Sequence, residues 1–168
     1  MHAPLVAAAM GPDGDLVTER LARGVRCFVV RIEDALAGYG WLSTGPEWIG
    51  EIQLELRPRQ REGYIWNCVT APEHRQKGVF GSLVLGIASA ARRTGLRRVW
   101  IGTVAVPAEK ALEPAGFRPA LHFDVSALAG MRLMRVRRSA DTALATDASS
   151  ALRVRAGLVI RGSHPRRH

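Results

Sequence analysis

The sequence predicts one α/β domain, a mixed and mostly antiparallel central sheet with flanking helices. The first observation is a broad apolar stripe at positions 79, 80, 83, 84, 87, 88 and 91, which has the period of a helix. The second is that apolar, β-branched segments lie on both sides of that helix, which predicts a strand–turn–helix–strand unit with a right-handed parallel crossover. The third is the length of 168 residues, which suits one domain with a full core.

The segment before residue 44 predicts a short strand, a short helix and a hairpin. Leu5–Met10 is apolar and is interpreted as a first strand, whereas Asp15 can cap a helix over Leu16–Ala22. Val25–Ile32 and Leu36–Ser43 are apolar on either side of a polar turn, which predicts two antiparallel strands.

Two further strands are predicted before the long helix. Thr44–Gly50 is interpreted as a loop because it contains a Gly-Pro pair. Glu51–Leu56 alternates between polar and apolar residues, so one face would carry Glu51, Gln53 and Glu55. Tyr64–Thr70 is an apolar strand that leads towards the helix.

The helix ends at Gly95, and the chain after it continues the sheet. Arg98–Val104 is predicted as a strand, and Pro107–Ala115 as a short helix. A final antiparallel pair follows over Phe117–Val125 and Met131–Val136. The composition then shifts to small and basic residues, so we expect a domain over residues 1–138 and a disordered basic tail over residues 139–168.

The composition excludes several classes of protein. No apolar run reaches the roughly 18 residues that span a membrane, and no leader peptide is recognised. Cys27 and Cys68 lie in separate predicted strands and form neither a metal-binding nor a disulfide pattern, which favours a reduced, cytoplasmic protein without a metal. The net charge of +9 comes almost entirely from arginine, which is typical of an arginine-rich, bacterial-like composition. These arginines are scattered without an aromatic platform, which argues against nucleic-acid binding and suits an anionic cofactor.

Residues 69–83 predict an anion-binding turn. Pro72 ends the preceding strand, and a basic turn then leads through Gly78 into the helix. The free N–H groups and the positive dipole of a helix N-terminus attract anions. The spacing matches neither the Gly-Lys-Ser/Thr nucleotide loop nor the three-glycine dinucleotide fingerprint.

The same residues carry a family resemblance. Val69-x-x-Pro72-Glu73-x-Arg75-x-Lys77-Gly78-Val79-x-Gly81-Ser82-Leu83, followed downstream by Ala115-Gly116-Phe117, resembles the acetyl-CoA-binding motif and closing segment of the GCN5-related N-acetyltransferases, the GNAT family. The resemblance covers about residues 27–136. It implies a GNAT-type sheet whose two parallel strands splay apart around the cofactor, which would be acetyl-CoA or another acyl-CoA.

The resemblance also implies which residues bind the cofactor. The turn would wrap the pyrophosphate of coenzyme A, with charge added by two basic side chains. The preceding strand would carry a bulge whose backbone bonds the pantetheine and positions the thioester. The implied cofactor-binding residues are Asn67, Cys68, Val69, Arg75, Gln76, Lys77, Gly78, Val79, Phe80, Gly81 and Ser82. The alternative for Arg75 and Lys77 is that their side chains are only solvated charges in the turn and do not bind the cofactor.

Three positions depart from the family pattern. Phe80 stands where a small residue is frequent, and its place on the apolar stripe predicts that its side chain turns towards the core. Leu112 replaces the tyrosine that often protonates the leaving thiolate, and Ala105 replaces a frequent asparagine. The usual general acid is therefore missing.

The catalytic base is predicted among acidic side chains. Glu51 and Glu55 share one predicted strand face and are the candidates, with a merely exposed sheet face as the alternative. His122 and Asp124 are further candidates that fit a structural role better. Trp41, Trp48, Trp66 and Tyr64 are either core residues or the lining of an acceptor pocket.

The sequence thus predicts an N-acetyltransferase that moves an acetyl group from acetyl-CoA directly to a primary amine in a ternary complex. The acceptor would be a small molecule or a peptide, with neither a membrane nor a nucleic acid as partner, and the chain is a candidate homodimer. The alternatives are a non-catalytic acyl-CoA-binding module, in which the missing residues reflect lost chemistry, and a basic nucleic-acid-binding protein.

Overall fold

The computed structural model describes residues 2–104, 106–128 and 131–162. They form two compact units. The first comprises Met1–Glu47 and Pro58–Phe117, and the second comprises Trp48–Arg57 and Arg118–His168. No helix in the described part of the chain is long and apolar enough to cross a membrane.

The described chain contains five α-helices and nine strands. The helices are α1 Ala3–Met10, α2 Leu16–Ala22, α3 Val79–Arg93, α4 Val106–Leu112 and α5 Thr142–Ala151. The strands are β1 Arg26–Ile32, β2 Ala35–Ser43, β3 Glu47–Ile49, β4 Leu54–Leu56, β5 Glu62–Thr70, β6 Arg98–Ile101, β7 Leu121–Leu128, β8 Met131–Arg138 and β9 Gly157–Gly162.

The first unit is built on a four-stranded sheet in the order β1-β2-β5-β6. The β1–β2 and β2–β5 pairs are antiparallel, whereas β5 and β6 are parallel and are connected through α3. This arrangement confirms the predicted mixed α/β fold with one parallel pair.

Helices cover both faces of this sheet. Successive side chains of a strand point to opposite faces. Tyr39 and Trp41 of β2 pack with Val6 and Met10 of α1 and Val17 of α2. On the other face, the buried side of α3 packs on β2 and β5 through Leu42, Ile65, Leu83, Ile87 and Ala91. The apolar stripe therefore identified the buried side of α3 correctly.

The predicted strand over Leu5–Met10 is wrong, because these residues belong to helix α1. Pro4 occupies the first turn, where its missing N–H has no cost, and alanine has the highest helix propensity. Only Val6 and Met10, four residues apart, are buried, which is helical spacing.

The predicted strand over Glu51–Leu56 is also only partly correct. Residues 50–53 form a turn, in which Gln53 has φ +52°, and the strand begins at Leu54. The region predicted as a loop contains β3, which pairs with β4. Glu51 and Glu55 consequently do not share a strand face.

The second unit contains the antiparallel sheet β7-β8-β9 and helix α5. The prediction of a disordered tail is wrong for residues 142–162. Helix α5 buries Ala145, Ala148 and Ala151, and β9 pairs with β8 from Met131–Gly162 to Val136–Gly157. The core face of α5 consists of small residues, which resemble a low-complexity segment in the sequence. Residues 163–168 lie outside the described part of the chain.

Candidate active site

The turn between β5 and α3 has the backbone geometry of an anion site. A short 3₁₀ turn, Pro72–His74, follows β5, and Gly78 precedes the helix with φ +75°, a value that favours glycine. The first helical bond at this end is donated by the Ser82 N–H to the Gly78 carbonyl, at 3.0 Å. The N–H groups of residues 79–81 therefore have no intrahelical acceptor, and they lie at the positive end of the helix dipole.

The front of this turn is open. A Cβ atom built on Gly78 or on Gly81 would meet no atom within 4 Å. Arg75 and Lys77 are exposed beside them, and Arg75 Nε donates only a long bond, 3.5 Å, to the Thr70 carbonyl. Both cations are therefore available to an anion in front of the turn.

Strand β5 carries the expected bulge. Tyr39 of β2 lies opposite Val69, but Trp41 lies opposite Trp66, so β5 contains one extra residue between them. Asn67 lies in this bulge with φ +44°, a left-handed conformation that asparagine tolerates better than most residues. The predicted bulge near Asn67–Val69 is confirmed.

The edge of β5 beyond the bulge is open. Strand β6 pairs with β5 only from Glu62–Arg98 to Ile65–Ile101. From Trp66 onward, no described strand pairs with β5 on that side. The backbone groups on this edge can therefore bond a ligand that lies between the two strands.

Cys68, the next residue of the bulge, has a packing role. Its Sγ lies 2.8 Å from the position that a Cβ atom would take if Gly40 had a side chain. The Cys68 side chain also packs against the core under α3. Burial raises the pKa of the Cys68 thiol to about 12. A thiol with so high a pKa is protonated near neutral pH, which makes it a poor nucleophile.

Beside the bulge lies Arg20, which the sequence did not predict as a site residue. Its Nη1 donates to Asn67 Oδ1 at 3.1 Å, and its guanidinium lies 4.4 Å from the Trp66 ring centre and 5.0 Å from that of Trp41. Burial lowers the pKa of Arg20. The only sequence signal was its place three residues after the buried Val17, on the inner face of α2.

The structure separates the candidate acidic residues. Glu51 is exposed in a turn, and Glu55 Oε2 accepts a bond of 2.7 Å from Arg57. Asp124 accepts bonds of 2.9 and 3.3 Å from Arg137, whose side-chain hydrogen bond lowers the pKa of Asp124. Asp124 is therefore held as a charged partner in a surface pair. All of these acids belong to the second unit.

The aromatic candidates also divide into separate roles. Tyr64 and Trp41 are buried in the first unit, Trp66 is half-buried beside the bulge, and Trp48 is 62% exposed in the second unit. The four residues do not line one pocket within either unit. Only Trp41 and Trp66 share a cluster, because they pair across β2 and β5.

The three departures from the family pattern have different outcomes. Leu112 is buried at the end of α4, and Gly116 after it has φ +85°. Phe80 is half-buried, whereas Val79 beside it is buried, so the inward orientation predicted for Phe80 holds only in part. Ala105 lies outside the described residues.

Comparisons with known proteins agree with this geometry. A model of the acetyltransferase (GNAT) family matches residues 8–117. No curated protein matches the chain in sequence.

Among solved structures, the chain is similar to a probable acetyltransferase, at 20% identity over 76% of this chain and 91% of the other, with a TM-score of 0.56. It is similar to a ribosomal-protein-alanine N-acetyltransferase from Brucella melitensis biovar Abortus 2308, at 20% identity over 76% and 90%, with a TM-score of 0.51. An aminoglycoside N-acetyltransferase in complex with CoA matches at 15% identity over 71% and 85%, with a TM-score of 0.50. At these identities the likenesses show a shared fold.

Proposed function

The chain belongs to the acetyltransferase (GNAT) family, and from that premise we propose that it transfers an acetyl group from acetyl-CoA, or from a related acyl-CoA, to a primary amine. The observation that carries the proposal is the combination of an open anion-binding turn with a bulged, unpaired strand edge directly before it. The turn suits the pyrophosphate, and the strand edge suits the amide-containing pantetheine arm. Both belong to one continuous segment of the first unit.

The turn binds the pyrophosphate in this proposal. The free N–H groups at the start of α3, over residues 79–81, point at the phosphate oxygens, and Gly78 and Gly81 allow the close approach because they carry no side chain. Arg75, Gln76 and Lys77 flank the anion. The solved aminoglycoside N-acetyltransferase in complex with CoA shares the fold and supports this assignment.

The bulge positions the reacting thioester. Backbone groups of Asn67, Cys68 and Val69 bond the pantetheine and the thioester carbonyl along the open edge of β5. The amine nitrogen attacks that carbonyl, the new C–N bond forms, and the C–S bond then breaks to release coenzyme A. Transfer is direct in this proposal, and the raised pKa of the buried Cys68 thiol supports it because a protonated thiol is a poor nucleophile for an acyl-enzyme route.

Two protons must move during this reaction. An amine that is charged near pH 7 first loses one proton to a base, for which Glu55 and Glu51 remain the candidates. The attacking nitrogen loses a second proton, and the leaving thiolate gains one. Leu112 has no ionisable group, so the thiolate is protonated by the acceptor or through water in this proposal.

One experiment separates this function from a non-catalytic acyl-CoA-binding module. Binding of acetyl-CoA is measured by calorimetry, and release of free thiol is then followed with a panel of primary amines. We expect binding together with amine-dependent thiol release. Binding without release for any amine favours the module, and the absence of binding contradicts both.

A further inference from the structure

A nearly buried arginine without a counter-ion lies beside the bulge. Arg20 is 8% exposed, yet no carboxylate in the described part of the chain forms an ion pair with it. Glu47 and Asp13 act on its charge only from a distance, and Glu47 is held by both oxygens on Arg23 at 3.2 Å. A desolvated guanidinium without an anion is unfavourable, and stacking on two indoles offsets only part of that cost.

The hydrogen-bonding capacity left in this cluster consists mainly of donors. Arg20 uses only Nη1, for Asn67 Oδ1 and for Met10 Sδ at 3.8 Å, so its Nε and Nη2 have no acceptor among the described residues. The indole N–H groups of Trp41 and Trp66 also lack an acceptor there. The Asn67 oxygen already accepts from Arg20, and the Asn67 amide N–H groups are further donors. Donors therefore outnumber acceptors in this cluster, in which the Tyr39 hydroxyl also lies close enough to interact with the Arg20 charge, and the excess of donors suits an anionic group.

The cluster lies on the side of the sheet from which an acceptor would approach. Arg20, Trp41 and Trp66 lie on the face covered by α1 and α2, whereas α3 and its anion-binding turn lie on the other face. If the turn holds the cofactor, as the proposed function requires, the thioester reaches the bulge from the α3 side. The second substrate then meets it from the side of Arg20, past the exposed Asn67.

We propose that Arg20 and the Asn67 side-chain amide bind a carboxylate of the acceptor, which is therefore an amine that also carries a carboxylate, such as an amino acid. The planar fork of the guanidinium presents two parallel N–H groups to a carboxylate. The guanidinium lies over the neighbouring indoles of Trp41 and Trp66, which limits its movement. The same positive charge disfavours polycationic acceptors such as aminoglycosides and polyamines.

The test uses the full chain and matched sets of amines. Each set contains a free amino acid, its carboxamide and the corresponding decarboxylated amine, with spermidine and one aminoglycoside as polycationic members. At saturating acetyl-CoA we expect kcat/KM for the free acid to exceed that of its carboxamide by about 10- to 100-fold, the size of a charged hydrogen-bond pair. Arg20→Met should abolish this ratio while KM for acetyl-CoA stays within about twofold.

Controls distinguish recognition from folding. Arg26→Met is the matched control, because Arg26 also stacks on an aromatic ring, Phe28, at 5.1 Å but is exposed; it should leave the acid-to-carboxamide ratio unchanged. Arg20→Lys keeps the charge but lacks the planar fork, so it should lower the ratio about three- to tenfold. This variant carries the test if Arg20→Met does not fold.

The results that overturn the inference are specific. Equal use of acids and carboxamides, preference for the polycations, or failure to acetylate any acid refutes the carboxylate site. A variant that folds and lowers kcat/KM equally for all amines shows that Arg20 only supports the fold, and also refutes it. Absence of acetyl-CoA binding in calorimetry would refute the proposed function itself. The carboxylate site, which rests on that function, would then be refuted as well.

Discussion

The replacement Gly81→Asp should strongly weaken coenzyme A binding while slightly stabilising the protein. A Cβ at Gly81 meets no atom within 4 Å, and glycine in a helix costs roughly 0.5–1 kcal/mol relative to alanine. A carboxylate in the first turn of α3 interacts favourably with the helix dipole, by about 0.3–1 kcal/mol. The melting temperature should therefore stay the same or rise by about 1–3 °C.

The expected loss of affinity follows from the charge. A carboxylate about 5 Å from one phosphate charge, at an effective dielectric constant of about 20, raises the free energy of binding by roughly 3 kcal/mol. This corresponds to at least about a 100-fold loss of affinity for coenzyme A, measured by calorimetry.

Gly86→Asp supplies the matched control in the same helix. Gly86 is exposed, and a Cβ there also meets no atom within 4 Å. It lies about 7.5 Å further along the axis and on another side of the helix, so salt screens its charge from the turn. We expect affinity within about threefold of the wild type. Equal affinities for Gly81→Asp and Gly86→Asp, with both variants folded, would refute the assignment of the turn.

Three further predictions concern residues outside the turn. Because burial raises the pKa of Cys68 to about 12, iodoacetamide should label this thiol slowly up to pH 9 and faster only as the pH rises further. Rapid labelling of Cys68 at pH 7 contradicts this prediction. The variant Cys68→Ala should keep the rate of acetyl transfer within about threefold of the wild type. Asp141 caps α5 through a bond from the Leu144 N–H at 3.0 Å, so Asp141→Ala should cost about 1 kcal/mol of unfolding free energy in thermal denaturation. Asp15→Ala should cost much less, because Asp15 precedes α2 without a capping bond, and equal costs refute the reasoning. If a carboxylate is the general base, Glu55→Gln or Glu51→Gln should lower kcat by about 100-fold, and full activity in both variants excludes both residues.

The features that the sequence predicted correctly rest on local patterns. The apolar stripe of α3, the β1–β2 hairpin and the glycine before the helix each involve residues close together in the chain. The anion-binding turn is also local, because one contiguous segment contains the strand end, the proline, the glycine and the helix N-terminus. The same is true of the bulge, whose position followed from the family motif.

The features that the sequence missed depend on distant contacts or on weak patterns. Arg20 meets Asn67, 47 positions later, and no periodicity in the sequence indicates such a contact. Helix α5 buries alanines, which have too little apolar surface to produce a clear stripe. The alternation over Glu51–Leu56 was misleading, because the left-handed Gln53 breaks the strand before Leu54.

The most direct test of the central claim is a pair of calorimetric titrations of the wild-type protein, one with coenzyme A and one with pantetheine. Pantetheine retains the arm and the thiol but lacks the pyrophosphate that the turn before α3 is proposed to hold. The account predicts that coenzyme A binds and that pantetheine binds at least about 100-fold more weakly, equivalent to about 2.7 kcal/mol. Equal affinities, or no binding of coenzyme A, would contradict it.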